Sequence, residues 1–475
     1  MDGVALAAGV LIAGTLFVLS VRNWRFGLYA LLIYLPFAGF VSLRTGQSAV
    51  GLLAKDFLFV VPTYISFFIF HRFPLTKTRI PTIIVIAMIM FAAIVLIQVF
   101  NPNVTAALVS LIGLKVWLMY VPLTFVAAAA IREKSDLIFF LRLCCVIATV
   151  PIAVGFLQRV GVDLIGREVL VERLYGGAVN VDNLGLFVGV NDFEGLYRII
   201  GTFSAAGQYG IYLLIVIVLS LLLSMIEKNF RWKLFATALT WVAVVAAFIS
   251  GSKGVIVFVP LVLGAAFLLS RNMPMLVACC VLLPVLYVVA LTVSEVDVTA
   301  LLAFLWDYSF YNVQDFGSNQ MLDTFYNYPL GLGTGMTTSG ARYAFADDYQ
   351  AYQSIYMFEV YYAKTIVELS LVGIIPVLIL MFAPLIQAAK LAWHTQTKDI
   401  RCIAAGFCSF FLMIVVLSYK AWPLDVDPAN VLFWVFSGVF YKVSYLASRS
   451  TGESAEWSGK HIGFAGRPAV SVAAA

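Results

Sequence analysis

Three basic side chains lie beside small, glycine-containing runs in this sequence. Arg198 begins the run RIIGTFS, Lys253 lies in SGSKG, and Arg342 ends PLGLGTGMTTSGAR. Guanidinium forks suit phosphate oxygens, and lysine adds a compact positive charge. Three such cations facing the same water would form an anion site, and the small residues would let a ligand approach the backbone.

Each of these features, taken singly, also has a plain structural explanation. Arginine and lysine near a membrane surface commonly extend toward lipid headgroups. Alternating glycines with no preceding strand and no helix immediately after them form flexible turns more often than phosphate cradles. The anion site is therefore an interpretation of the three cations together.

Two glutamates are candidates for acid–base chemistry. Glu359 and Glu368 are nine residues apart, which places them on roughly opposite faces of a helix, so they are not expected to act as a pair. A buried or cation-flanked glutamate can serve as a base near neutral pH. In the alternative interpretation, Glu359 is solvated in a loop and Glu368 pairs with Lys364 at i,i+4.

The composition indicates what must position these residues. The 475-residue chain is 62% hydrophobic and 12% charged, with a mean hydropathy of +0.98, which excludes a soluble enzyme. Because a membrane-spanning helix needs about 20 mostly apolar residues, the sequence predicts an all-α polytopic membrane protein. About 13 spans (12–14) are expected, near residues 4–21, 27–43, 52–70, 80–100, 115–131, 137–158, 203–225, 232–249, 254–270, 274–293, 365–389, 400–419 and 430–447.

Charge patterning predicts the orientation of these spans. When alternate connections are assigned to the two sides, most lysines and arginines fall on one side and most carboxylates on the other, so the basic side is predicted to be cytoplasmic. The N-terminus would then lie outside and the C-terminus inside. The net charge of +5 is too small to indicate a nucleic-acid surface.

Two long connections divide the chain into segments. Residues 1–158 and 203–293 are predicted to hold helices 1–6 and 7–10, with a loop at 159–202 between them. An acidic, aromatic loop follows at 294–364, then helices 11–13 at 365–447. The tail at 448–475 has a disordered composition. Both long loops fall on the outer side, where we expect function.

The cysteines and histidines argue against other chemistries. All six cysteines fall in predicted spans, and adjacent ones such as Cys144 and Cys145 do not readily bridge each other. The three histidines lie on the predicted cytoplasmic side, so the outer face lacks the usual ligands of a zinc site. We expect no metal and no other cofactor.

The order and spacing of several runs resemble the bacterial O-antigen polymerase and O-antigen ligase family (Wzy/WaaL-type), which includes exopolysaccharide polymerases. The resemblance covers about three-quarters of the chain. It is carried by residues 115–123, Pro151 with Gln158, residues 198–203, residues 250–254, residues 329–335 and residues 359–373.

The resemblance implies a GT-C-like fold and a metal-independent, inverting glycosyltransferase. Its substrates would be undecaprenyl-pyrophosphate-linked glycans at the periplasmic face of the inner membrane. Arg198 and Lys253 would stabilise the departing pyrophosphate, although the family more often has arginine at the position of Lys253. Glu359 would be the base. The remaining candidate substrate-binding residues are Arg342, Lys115, Tyr361, Tyr362 and Lys364.

Three functions remain open at this point. The first is a polysaccharide polymerase, with a chain-length regulator and a flippase as possible partners. The second is a ligase that transfers glycan to lipid A core or to protein. Ligases carry a histidine ahead of the glycine matched by Gly373, and this chain has Tyr361-Tyr362-Ala363 there. The third is a lipid-linked sugar transporter, for which broken helices and deeply placed charges are expected.

Overall fold

Helices account for most of the part of the chain that the structure describes. The computed structural model describes residues 3–104, 106–176, 197–293, 317–338 and 360–452. The helices of these ranges are α1 (Gly3–Arg22), α2 (Trp24–Tyr34), α3 (Ala38–Arg44), α4 (Ala49–Lys55), α5 (Val61–Tyr64), α6 (Thr82–Val99), α7 (Ala107–Leu118), α8 (Leu123–Ala130), α9 (Lys134–Ile165), α10 (Arg167–Tyr175), α11 (Ala206–Ile226), α12 (Phe230–Ile249), α13 (Lys253–Leu269), α14 (Met273–Val293), α15 (Gln320–Asn327), α16 (Tyr361–His394), α17 (Lys398–Leu417) and α18 (Ala429–Gly452). Short 3₁₀ turns lie at Leu35–Phe37 and Leu75–Thr78, and π-helical segments at Asp56–Val60 and Ile65–Phe70.

The protein is an all-α polytopic membrane protein. Ten helical stretches of the described residues are long and apolar enough to cross a membrane: Trp24–Arg44, Gly51–Phe70, Thr82–Val99, Ala107–Ala130, Lys134–Ile165, Ala206–Ile226, Phe230–Ile249, Tyr361–His394, Lys398–Leu417 and Ala429–Ser448. Three shorter apolar stretches follow the same pattern: Gly9–Arg22, Val257–Leu269 and Met273–Val285. In order along the chain, these stretches coincide with the apolar runs predicted from the sequence.

Helix bounds differ from the predicted runs where polar residues join a helix. α9 continues past residue 158 to Ile165, and Arg159 and Asp163 pair one turn apart there, with Nη1 and Oδ1 3.1 Å apart. α16 begins at Tyr361 and not at 365, because the polar residues of its first turns are buried in protein. Hydropathy locates the lipid-crossing part of a helix and cannot locate such extensions.

One helix, α11, lies at the centre of the bundle. α11 is apolar around most of its circumference and almost entirely buried, as expected for a helix enclosed on all sides. It packs against α12, α17, α9 and α13. Its first residues follow the RIIGTFS run directly, so the position of that run is tied to the core of the bundle.

The connections group at two ends of the bundle. At one end, which we call the Arg198 end, the 197–204 segment meets the turn between α12 and α13, and Lys364 meets Asp425. At the other end, the Arg142 end, Arg142 pairs with Glu227 at 2.6 Å and Lys134 pairs with Asp399. Connections predicted to share a side of the membrane therefore contact one another.

A close contact between α8 and α18 gives a test of this packing. A Cβ on Gly438 would lie 2.1 Å from the backbone oxygen of Thr124, whereas a Cβ on the exposed Gly14 would meet nothing within 4 Å. We expect Gly438→Ala to destabilise the protein by about 1–3 kcal/mol through overpacking. Gly14→Ala, the matched control, should be neutral or slightly stabilising because alanine favours helix.

The thermal midpoint of the purified protein in detergent is the measurement. A lower midpoint for Gly438→Ala than for Gly14→Ala is expected. Equal midpoints would contradict the helix contact.

Candidate functional site

Arg198 lies on a backbone segment that several helices hold in place. The amide of Gln158, in α9, makes two hydrogen bonds with the backbone of Gly201: its Nε2 donates to the carbonyl at 2.6 Å, and its Oε1 accepts from the N–H at 2.7 Å. The same Nε2 lies 3.1 Å from the hydroxyl of Tyr175. Burial raises the pKa of Tyr175 above its ordinary value, although the hydrogen bond from Gln158 opposes the shift. The phenol therefore remains protonated and neutral in this contact.

The N-terminal helices hold the other side of the same segment. The Phe40 N–H donates to the Thr202 carbonyl at 2.8 Å, and the Thr202 hydroxyl donates to the Pro36 carbonyl at 2.5 Å. Thr202 is buried, so these hydrogen bonds replace water that the backbone would otherwise need. The segment is thus fixed from both sides before α11 begins.

The SGSKG run packs directly against the Arg198 segment. The Ile199 N–H donates to the Ser250 carbonyl at 3.0 Å. Gly251 has φ +67°, and a Cβ there would lie 2.8 Å from the Tyr197 carbonyl oxygen, so only glycine fits at this crossing. The two sequence runs predicted to share a site are therefore adjacent. Lys253 is the first residue of α13, and its side chain lies outside the described residues.

A cavity of about 200 Å³ opens beside Arg198. Its polar lining includes Arg198, which is exposed, and Lys420 from the connection after α17. Ser252 and Gly254, which flank Lys253, also line it. Ile211, Leu214 and Phe258 form an apolar part along α11 and α13. The cavity therefore has basic side chains at the helix ends and an apolar wall between the helices.

The glycine-rich run after Pro329 is a fixed element that enters the bundle. Gln98 of α6 donates from Nε2 to the Leu330 carbonyl at 3.0 Å. Gly335 has φ +89°, and a Cβ there would lie 2.1 Å from the Val109 carbonyl of α7. A side chain at this position would collide with backbone, so the run can pack this closely only with glycine.

The same run fills a break in α16. Ser370 has φ +75° and ψ +173°, which interrupts the helix. The Leu332 N–H donates to the Val367 carbonyl at 2.6 Å, and the Leu371 N–H donates to the Pro329 carbonyl at 3.1 Å. Backbone groups freed by the break are therefore satisfied by the inserted run, as non-helical backbone within a membrane bundle requires.

Glu368 is enclosed by hydrogen-bond donors of the run and of α7. Its carboxylate is fully buried and accepts from the Trp117 indole at 2.6 Å, the Gly335 N–H at 2.8 Å, the Thr337 N–H and hydroxyl at 2.9 and 2.7 Å, and the Thr338 hydroxyl at 3.1 Å. The backbone donors that a phosphate would use are thus bonded to the protein's own carboxylate. At these positions the run serves as a carboxylate cradle.

Lys364 completes this buried group. Its ammonium lies 2.7 Å from Asp425 Oδ2 and 3.9 Å from Glu368 Oε1, and both the Lys364 and Asp425 side chains are shielded from solvent. The indole rings of Trp117 and Trp422 lie 5.6 and 5.5 Å from the same nitrogen, within cation–π range. The i,i+4 partnership of Lys364 and Glu368 is present, but Asp425 is the closer partner.

A second ionic group adjoins the first. Lys55 lies 2.9 Å from Asp427 and 3.5 Å from Asp56, and Lys115 lies 2.8 Å from the other Asp56 oxygen. The Tyr120 hydroxyl donates to Asp56 at 2.8 Å. The π-helical segment Asp56–Val60 begins at this aspartate, and such segments are frequent at functional sites. Asp427 and Lys115 keep 30% and 28% of their side-chain exposure, so this group reaches the surface.

The predicted substrate-binding residues lie in two different environments. Lys115 is ion-paired at the edge of the second group, whereas Tyr361, Tyr362 and Lys364 are buried in the first turn of α16. The Tyr362 hydroxyl donates to the Val415 carbonyl at 2.8 Å. These three side chains form contacts between helices.

Two predicted residues, Glu359 and Arg342, lie outside the described residues. Their roles stay predictions.

The sequence does not predict several other polar residues of the two charged groups and the cavity. Asp56, Asp425, Asp427 and Lys420 join the charge groups or the cavity, and none lies in a recognisable motif. A lysine–aspartate pair at the start of an apolar run, Lys55-Asp56, was the one available signal. Among residues the structure describes, no cluster of three or more His, Cys, Asp or Glu side chains has the geometry to hold a metal ion.

No protein-family model matches the chain, and no curated protein shows significant similarity to it.

The carboxylate cradle gives a stability test. Glu368→Gln turns one acceptor oxygen into an NH₂ group that faces donors, and it leaves Lys364 with one fewer anionic neighbour. Breaking a buried charged group of this kind costs about 3–5 kcal/mol. We expect a lower thermal midpoint and a smaller monodisperse fraction in detergent. Glu168→Gln, at an exposed position of α10, is the matched control. Wild-type behaviour of Glu368→Gln would contradict the cradle's structural role.

Proposed function

We propose that the protein is a polysaccharide polymerase that joins undecaprenyl-pyrophosphate-linked oligosaccharide repeat units at the periplasmic face of a bacterial inner membrane. In this proposal the Arg198 end faces the periplasm and the more basic Arg142 end faces the cytoplasm. The N-terminus is then periplasmic and the C-terminus cytoplasmic.

The cavity beside Arg198 is the observation that carries the proposal. It combines cationic side chains with apolar walls, and both are needed to hold a phosphate group esterified to a hydrocarbon chain. From Gly207 to Leu214 its wall follows α11 for about 10 Å, at 1.5 Å per residue. A soluble nucleotide sugar would have no use for apolar walls between membrane-spanning helices.

The cavity volume fits part of such a substrate. Pockets that enclose a whole drug-sized ligand measure about 300–1,000 Å³, and this one measures about 200 Å³. It is sized for the phosphate group and the adjoining chain, with the glycan outside. A growing glycan can then change length without altering what the cavity binds, which suits a polymerase.

The proposed reaction is a displacement at the anomeric carbon of the donor sugar. A hydroxyl of the acceptor glycan forms the new C–O bond, and the bond from the anomeric carbon to the pyrophosphate oxygen breaks. Glu359 takes the hydroxyl proton, and the electron pair leaves with the lipid pyrophosphate. Arg198 and Lys253 stabilise the charge that develops on that leaving group.

The transporter alternative has a specific observation in its favour. The break at Ser370 and the buried charges of Lys364, Glu368 and Asp425 are features expected of transporters. Here the break is filled by protein backbone and the charges are satisfied internally, so neither opens a path through the bundle. The ligase alternative would use the same lipid-linked donor and the same cavity, but this chain has Tyr361-Tyr362-Ala363 where ligases carry a histidine.

Alanine substitution of the two cations tests the proposal. We expect Arg198→Ala and Lys253→Ala to lower polymer formation roughly hundredfold or more, while single repeat units accumulate on the carrier lipid. Membrane insertion should be unchanged. Lys398→Ala, an exposed lysine at the Arg142 end, is the control.

The measurement is the chain-length distribution of the polysaccharide together with the lipid-linked glycan pool in complemented deletion strains. Wild-type polymer lengths in both variants would refute the assignment. Accumulation of long chains on the carrier would indicate a ligase, and units stranded on the cytoplasmic side would indicate a flippase.

The base is tested separately. Glu359→Gln removes the proton acceptor and keeps the size of the side chain, so transfer should fall about 10²–10⁴-fold, with donor binding retained. Initial rates of glycan transfer in membranes, compared with binding of lipid pyrophosphate, make the distinction. Normal rates in this variant would exclude Glu359 as the base and leave the cation site untouched.

A further inference from the structure

The connection between α17 and α18, residues 418–428, touches both the cavity and the buried charges. Its first part lines the cavity through Lys420 and Ala421. Its later part carries Asp425, which pairs with Lys364 at 2.7 Å, and Asp427, which pairs with Lys55 at 2.9 Å.

The backbone of this connection is fixed at its beginning as well. The Ser418 carbonyl accepts from the Tyr361 N–H at 3.0 Å, which ties the end of α17 to the start of α16. The N–H groups of Lys420 and Ala421 donate to the Leu417 carbonyl at 3.0 and 2.8 Å, which closes the last turn of α17. Lys420 therefore lies in a short connection that is fixed at its start by the Ser418–Tyr361 hydrogen bond and at its end by the ion pairs of Asp425 and Asp427.

Lys420 lines the same cavity as the segments already considered, and it comes from a different element. Arg198 comes from the segment before α11, Ser252 from the turn before α13, and Lys420 from the end of α17. Cations from separate elements can contact different oxygens of one ligand. A diphosphate offers oxygens on two phosphorus atoms, and a single phosphate offers them on one.

We propose that Lys420 is a further cationic residue of this site and that it contacts the diphosphate of a polyprenyl diphosphate. This inference rests on the proposed function for the identity of the lipid. The leaving diphosphate gains negative charge when its bond to the sugar breaks, so a further cation beside Arg198 and Lys253 favours the released product more than the intact donor. Interactions of that kind accelerate the chemical step.

The binding experiment uses the full-length protein in lipid nanodiscs and undecaprenyl diphosphate as the probe. A hydrogen bond to a charged group contributes about 1.5–3 kcal/mol, so Lys420→Ala should raise the Kd for this probe roughly tenfold to a hundredfold. Lys420→Arg, which retains the charge, should recover most of the affinity. Lys398→Ala is the charge-matched control and should bind as wild type does.

A second arm separates a lipid diphosphate from free phosphate. Inorganic pyrophosphate should compete only weakly, because it cannot use the apolar wall at Leu214 and Phe258. Competition by inorganic pyrophosphate as strong as by undecaprenyl diphosphate would overturn the lipid assignment. Thermal midpoints of all variants are compared first, and Lys420→Gln replaces Lys420→Ala if the alanine variant is unstable.

The outcomes distinguish this inference from the proposed function. Wild-type undecaprenyl diphosphate affinity in a folded Lys420→Ala or Lys420→Gln variant, with affinity lost in Arg198→Ala, would overturn the role of Lys420 alone. Reduced affinity in the Lys420 variant, alongside polymer of wild-type length in the deletion strain itself, would support the diphosphate site and refute the polymerase.

Discussion

Burial of charge inside a membrane bundle is the constraint on which this structure depends. An unpaired charge among apolar helices is costly, and removing one member of a buried pair strands the other. The Glu368 carboxylate and the Lys364 ammonium are therefore enclosed by partners from α7, the glycine-rich run and the 418–428 connection. Non-helical backbone can lie at this depth because these groups and the broken helix α16 satisfy it.

The buried charged group and the cavity both lie at the Arg198 end and share one connection. The 418–428 connection is common to both, since Asp425 pairs inside the bundle and Lys420 lines the cavity. The Arg198 segment is fixed independently, by Gln158, by Thr202 and by the turn at Gly251. Fixed cations at a helix-lined cavity can stabilise developing charge without first reorganising, which is the property that the proposed transfer needs.

The sequence predicts the helical architecture well and the site less completely. Hydropathy locates the apolar helices because lipid-crossing segments must be long and continuous. Spacing and residue type also indicate that the Arg198 and SGSKG runs lie at the same site. Asp425, Asp427 and Lys420 could not be found in this way, because their partners are distant in sequence and a lone charge in a short connection has no pattern. The glycine-rich run was an ambiguous signal, since glycine suits a phosphate cradle and the carboxylate cradle at Glu368 equally well.

In the proposed reaction, a polyprenyl diphosphate occupies the cavity between α11 and α13. The most direct measurement is an electron cryomicroscopy structure of the protein in nanodiscs with undecaprenyl diphosphate bound. We expect diphosphate density in ion-pairing contact with Arg198 and the first isoprene units against Leu214 and Phe258. Lipid diphosphate bound at another surface, or Arg198 and Lys253 side chains turned away from a common ligand, would contradict it.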